Sequence, residues 1–169
     1  EAARAFAGAL FAGDGFAGNG SAGNGSAGPS DPSSEDGHRH RGLAVAGRHP
    51  DLILVEPEGR SLLVADAERI TVEGWRSPIE ADHKVIVVDR FDTAEPTAAA
   101  SLLKTIEEPP ASAVFVLLAE EVPDEHVTIA SRCVRVDLPP VPDAVVAEAL
   151  VAEGVPADRA TGLAEAAAG

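Results

Sequence analysis

The sequence has one cysteine, Cys133, no methionine and no tyrosine, and its aromatic side chains amount to five phenylalanines and one tryptophan in 169 residues. A single thiol excludes an internal disulfide and any metal centre built from several thiolates, and it leaves redox chemistry without a pair of sulfurs. Cations are scarce too: 13 Lys and Arg stand against 28 Asp and Glu, a formal charge of −15. DNA affinity rests largely on Lys and Arg neutralising phosphates, so a chain of this balance repels nucleic acid as a whole. Any DNA contact is then local or delivered by partners. Long apolar runs are missing as well. None approaches the roughly 18 residues of a membrane span, and the first residues lack the basic and apolar regions of a signal peptide, so a cytoplasmic setting is expected.

What remains is enough for a core. Apolar residues make up 45% of the chain, and its length fits one domain, or one domain with the beginning of a second. Glu1 to Leu10 (EAARAFAGAL) is Ala-rich with Phe6 and Leu10 at i, i+4, which predicts a short helix packed on that face. Residues 12–42 are mainly Gly, Asn, Ser and Ala, with Phe16 the only large apolar side chain. Such a stretch buries too little to offset the entropy of ordering it and is expected to be a flexible insertion. Asp51 to Val55 (DLILV) and Ser61 to Ala65 (SLLVA) read as short strands around the turn EPEG, and Asp66 as the cap of a helix reaching Trp75 or Arg76. Lys84 to Asp89 (KVIVVD) has the β-branched run of a central strand buried on both faces.

Thr93 is placed to cap the next helix, where Ala99, Leu102, Leu103 and Ile106 form one stripe before Pro109-Pro110. Val114 to Leu118 and Cys133 to Val136 are expected as further strands, with a short helix in the intervening EEVPDEHVTIASR. Strands alternating with helices imply an α/β fold with a parallel sheet. After the stiff Leu138-Pro139-Pro140-Val141-Pro142 the period turns helical, with helices over 143–153 and 156–168. The expected domains are an α/β core over 1–138 and the start of a small helical unit over 139–169. Glu1 opens inside a helix and Gly169 follows an unfinished one, so the chain is expected to be a fragment.

In a parallel sheet, functional groups gather beyond the carboxyl ends of the strands, here Asp89, Ala119 and the loops after them. In nucleotide hydrolases an apolar strand ending in Asp presents a carboxylate to Mg²⁺, and a following Glu orients the attacking water. Here the following residue is Arg90. A cation replaces the base, so the site is expected to be hydrolytically impaired even with Asp89 near a metal. An Asp at a strand end serves equally well as a cap or turn residue.

Lys84 to Asp89, then AAASLLKTIEEPP at Ala98 to Pro110, VFVLL at Val114 to Leu118 and TIASRC at Thr128 to Cys133 resemble, in order and spacing, the run shared by bacterial clamp-loader subunits of the AAA+ family. His49-Pro50-Asp51-Leu52 with VEPEGRSLLVADAERI is similar to the delta-prime type of DNA polymerase III, related to gamma and tau. The resemblance covers the chain outside the insertion. It implies a P-loop NTPase-like core, here without its first strand and phosphate loop, followed by the start of a helical lid.

The resemblance also implies roles. Arg132, with Ser131 and Cys133 of the same motif, would be an arginine finger reaching in trans to ATP on a neighbouring subunit, where a planar guanidinium can bind phosphate oxygens bidentately. Local pairing with Glu120 or Glu121 is the alternative for Arg132, and Cys133 is expected to be a small buried residue. Lys104, Glu107 and Glu108 would face a neighbouring subunit, unless they only solvate the helix. Asp89 would be a degenerate Walker B-like remnant. Hydrolysing relatives carry Asp-Glu where this chain has Asp89-Arg90, and a γ-phosphate-sensing Thr or Asn where it reads Leu118-Ala119-Glu120. Both departures imply a subunit that does not hydrolyse ATP, with ATP and Mg²⁺ held by its neighbours.

The implied partners are gamma or tau and delta in a hetero-oligomer, with the sliding clamp and primed DNA reached through the complex, at the bacterial replisome and away from any membrane. Relatives carry a four-cysteine zinc module between the first helix and the His-Pro-Asp segment. Here the insertion stands in its place, and His38, His40 and His49 with Asp36 make a poor substitute, so no metal is expected. Two other readings stay open: an ATP-hydrolysing gamma or tau type, and a nucleotide-binding fold repurposed as an interaction module.

Overall fold

The computed structural model describes residues 2–13 and 35–167. Most of the predicted insertion, residues 14–34, lies outside the described residues. The chain divides into two compact units, Glu1–Val134 and Arg135–Gly169.

The first unit is built on a three-stranded parallel sheet of order β1-β2-β3, with β1 Leu52–Val55, β2 Lys84–Val88 and β3 Ala113–Leu117. The register pairs Leu52 with Val85 and Val85 with Val114. All five residues of β2 are buried: the four apolar residues Val85 to Val88 suit a strand covered on both sides, and Lys84 lies 3.8 Å from the Glu73 carboxylate. Its side chains alternate between two cores. Ile86 and Val88 join Val55, Ile70, Phe91, Leu102 and Ile129, under α3 (Val64–Gly74) and α4 (Pro96–Glu107). Val85 and Val87 join Ala3, Ala7, Phe11, Ala44 and Leu52, under α1 (Ala2–Phe11) and α2 (Glu35–Val45).

Several sequence expectations are corrected. The buried face of α1 is Ala3, Ala7 and Phe11, while Phe6 is half exposed. α1 packs closely on α2, where Gly8 sits against Arg41, so small residues face the contact. Residues 35–42, assigned to the insertion, form the first turns of α2 with Glu35 and Asp36 complementing its N-terminus. Gly47 stops that helix in the left-handed region (φ 67°), with Arg48 N–H bonded to Leu43 O at 2.8 Å. Ser61 to Ala65 contributes only an isolated bridge between Leu62 and Ala94, because α3 already begins at Val64. Asp66 does cap α3, from inside it, by accepting the Leu63 N–H at 2.9 Å. Thr93 caps nothing: its hydroxyl donates to Arg90 O, and α4 starts after Glu95 with Pro96 in its first turn. Cys133 to Val136 pairs with no strand among the described residues, and Val134 and Val136 are 93% and 75% exposed. Alternation selects a face, but a strand also needs an edge to bond to.

In the second unit, α6 (Asp143–Ala152) and α7 (Ala157–Ala167) pack on each other. Gly154 (φ 95°) makes the reversal between them, and Ala160 and Ala164 are the buried face of α7.

Candidate functional site

Glu56, Asp89 and Leu118 follow β1, β2 and β3 directly, so the parallel sheet brings them to one edge. There they line a cleft of about 390 Å³ with Ala3, Arg4, Val45, Leu54, Val55 and Val87. Asp89 is held at the backbone by its N–H to Val55 O at 2.9 Å, while its side chain stays 44% exposed. Arg90 has φ 48° and ψ 47°, a left-handed conformation that costs a non-glycine residue about 1–2 kcal/mol. Its guanidinium donates to Pro57 O at 2.9 Å, and its Nε lies 4.0 Å from Asp89 Oδ2. Arg90 therefore ties the turn after β1 to the end of β2 and places a cation beside Asp89. Arg4 and Glu56, the cleft's other charged groups, carry no motif and were not legible in the sequence.

Arg132 lies just past α5 (Val127–Ala130). Its partner is Glu107 at the end of α4, with Nε 2.6 Å from Oε1, rather than Glu120 or Glu121. Arg132 Nη1 also donates to Thr128 O at 2.5 Å, and Ser131 Oγ donates to the same carbonyl at 2.9 Å. The geometry thus joins two of the sequence-picked groups, the Arg of SRC and the first Glu of EEPP. The ion pair is exposed on both sides, 36% for Arg132 and 43% for Glu107. Lys104 and Glu108 are also exposed on the same end of α4. Cys133 is exposed, not buried, because the chain beyond α5 leaves the sheet. Nearby atoms still desolvate its thiol and push its pKa up, which keeps it protonated and a poor nucleophile.

At the opposite end of β1, Asp51 is fully buried and accepts backbone N–H bonds from Ile79, Glu80 and Ala81 at 2.6, 2.8 and 2.8 Å. Burial alone would raise its pKa, but the bonds from Ala81, Glu80 and Ile79 outweigh it and hold the carboxyl below its usual value. Beside it, His40 Nδ1 and His49 Nε2 lie 2.7 Å apart, and His49 stacks on Phe11 with ring centroids 4.0 Å apart. Burial, then His40, lowers the His49 pKa.

His40, His49 and Glu80 are near enough to suggest a metal. His49 Nδ1, however, accepts the Asp51 N–H at 3.0 Å. That nitrogen must be unprotonated, so in the neutral ring the proton sits on Nε2, which donates to His40 and has no lone pair for a cation. Glu80 already pairs with Arg39 at 2.9 Å. The residues present do not fit a zinc ion, and the pair is a hydrogen-bonded clasp between α2 and the segment entering β1.

A family model described as "DNA polymerase III, delta subunit" matches residues 30–142. "DNA polymerase III subunit delta'" of Bacillus subtilis (strain 168) is 32% identical over 110 residues, 65% of this chain and 33% of the relative. The protein of the same name from Escherichia coli (strain K12) is 36% identical over 115 residues, 63% of this chain and 34% of the relative. This chain thus spans about a third of the length of these curated relatives. Among solved structures, a DNA polymerase III, gamma subunit-related protein from Thermotoga maritima matches with a TM-score of 0.52 and 28% identity, over 65% of this chain and 40% of that one.

Proposed function

The chain belongs to the DNA polymerase III delta-subunit family, and from that premise we propose that it is part of a delta-prime-type clamp-loader subunit that does not hydrolyse ATP but donates Arg132 to ATP on a neighbouring subunit. The observation that carries this reading is the exposed Arg132, whose guanidinium pairs, among the described residues, with the Glu107 carboxylate. An exposed pair of this kind contributes only about 0–1 kcal/mol. A phosphate oxygen can therefore replace Glu107 at little cost, and the guanidinium would stabilise charge in phosphoryl transfer. Lys104 and Glu108, exposed beside that pair, would lie along the same subunit boundary.

The non-hydrolysing half of the reading rests on the strand-end cleft. Arg90 stands where a water-orienting carboxylate would be needed, and its side chain is bound to the Pro57 carbonyl. Ala119, with no polar side chain, follows Leu118 where a γ-phosphate sensor would sit. Assembly with gamma or tau and delta, and contact with the sliding clamp and primed DNA through them, follow from this reading, as does a cytoplasmic location. No helix among the described residues is long and apolar enough to cross a membrane.

The test uses the full-length protein. Alone, it is expected to turn over ATP no faster than its Asp89→Asn variant, and its addition to the partner ATPase subunits is expected to raise their DNA- and clamp-stimulated hydrolysis. Turnover by the isolated protein that Asp89→Asn abolishes would instead establish a hydrolysing, gamma-type subunit.

A further inference from the structure

His126 lies between the strand-end cleft and Arg132. Its ring is 2% exposed, its Nε2 lies 3.1 Å from Ala94 O and donates to it, and it packs on Phe91 with centroids 5.3 Å apart. Phe91 and Ala94 belong to the loop that starts at Asp89 and Arg90, and Phe91 N–H binds Leu118 O at the end of β3 at 2.7 Å. On its other side, His126 immediately precedes α5, whose Thr128 carbonyl receives both Ser131 and Arg132. A helix of four residues cannot fix itself. Ile129 is its one buried side chain, so Ile129 and the preceding His126 are its buried attachments, beside the exposed pair of Arg132 with Glu107.

Histidine is a costly choice for mere filling. Among the described residues its buried Nδ1 has no hydrogen-bond partner, a penalty that an apolar side chain of similar volume would avoid. What such a side chain could not supply is the bond to Ala94.

We propose that His126 is a positioning residue that couples the Asp89–Ala94 loop to α5 through its bond to Ala94 and thereby aims Arg132 across the subunit boundary. The proposal rests on the reading of Arg132 as a finger acting in trans. A change at the cleft then reaches the finger through one buried hydrogen bond and a single helical turn.

The experiment compares wild type, His126→Leu, His126→Gln, Arg132→Ala and the double variant His126→Leu/Arg132→Ala in the full-length protein, assembled with its partner ATPases. The readouts are stimulated ATP hydrolysis and thermal melting. Leucine removes the donor, and glutamine restores an N–H near the position of Nε2. His126→Leu is expected to lower kcat about tenfold with KM for ATP unchanged, as a misaligned catalytic group does, while the melting temperature holds or rises. His126→Gln is expected to recover most of the rate, and His126→Leu to add nothing once Arg132 is alanine. An unchanged rate in His126→Leu with a fall in Arg132→Ala would overturn the coupling and leave the finger standing. So would a rate loss that glutamine fails to rescue and that follows the melting temperature, or an additive loss in the double variant. No change in Arg132→Ala would remove the finger itself and this inference with it.

Discussion

Asp51 and His49 show how single residues lock the entry to β1. The folded protein holds the His49 pKa below its ordinary 6.5 and the Asp51 pKa below its ordinary 3.8. Below each ordinary value the unfolded chain binds a proton that the folded chain resists, so stability falls as pH drops. Denaturant titrations of the full-length protein are expected to show stability present above pH 6.5 and declining below it, with a second decline below pH 3.8. Asp51→Asn keeps the shape but loses the anionic acceptor facing three N–H groups. It is expected to cost about 2–3 kcal/mol at neutral pH and to abolish the second decline. A variant as stable as wild type would show that the carboxylate does not pin the 79–81 turn.

At this scale the sequence placed Asp89 at the end of the central strand and Arg132 after a short helix, because each sits in a dense motif. It was not legible where a residue's role is made by the fold. Nothing in EEVPDEHVTIASR marks His126 except its i, i+3 spacing from Ile129, and the Glu107 partner of Arg132 comes from another helix.

The elements follow from apolar patterning wherever both faces are decided locally. β1, β2 and β3 are short apolar runs, and α4 buries Ala98, Ala99, Leu102 and Thr105 along one stripe, leaving Lys104, Glu107 and Glu108 outside. Patterning failed in part at α1, where Phe6 was expected inside but is half exposed, while Leu10 does pack, partly buried, against the core. The close approach of α2 selects alanine instead, which only the tertiary contact reveals. It failed again at Cys133 to Val136, whose alternation suits a strand that finds no partner among the described residues. The fit of α3 over β3 makes a sharper test. A Cβ at Gly74 would lie 2.6 Å from Phe115 Cζ, inside van der Waals contact, and the ring is packed against the core. Gly74→Ala is therefore expected to destabilise the protein by about 1–3 kcal/mol, despite alanine's better helix propensity. A gain in stability would mean that the Phe115 ring moves aside freely.

For the whole molecule, the net charge of −15 and the exposed Arg132–Glu107 pair point the same way. The charge disfavours DNA binding by this chain itself, which agrees with the proposed action through neighbours. The proposed role of Arg132 is to act on ATP held by another subunit. It is tested most directly by titrating full-length wild type or Arg132→Ala into the partner ATPases and following DNA- and clamp-stimulated hydrolysis, with assembly checked by size. The variant is expected to assemble normally yet leave hydrolysis at least about 10²-fold below the wild-type assembly, since arginine fingers contribute about 10³–10⁵ in rate where one acts at each site. Equal hydrolysis from wild type and variant in intact assemblies would contradict the claim.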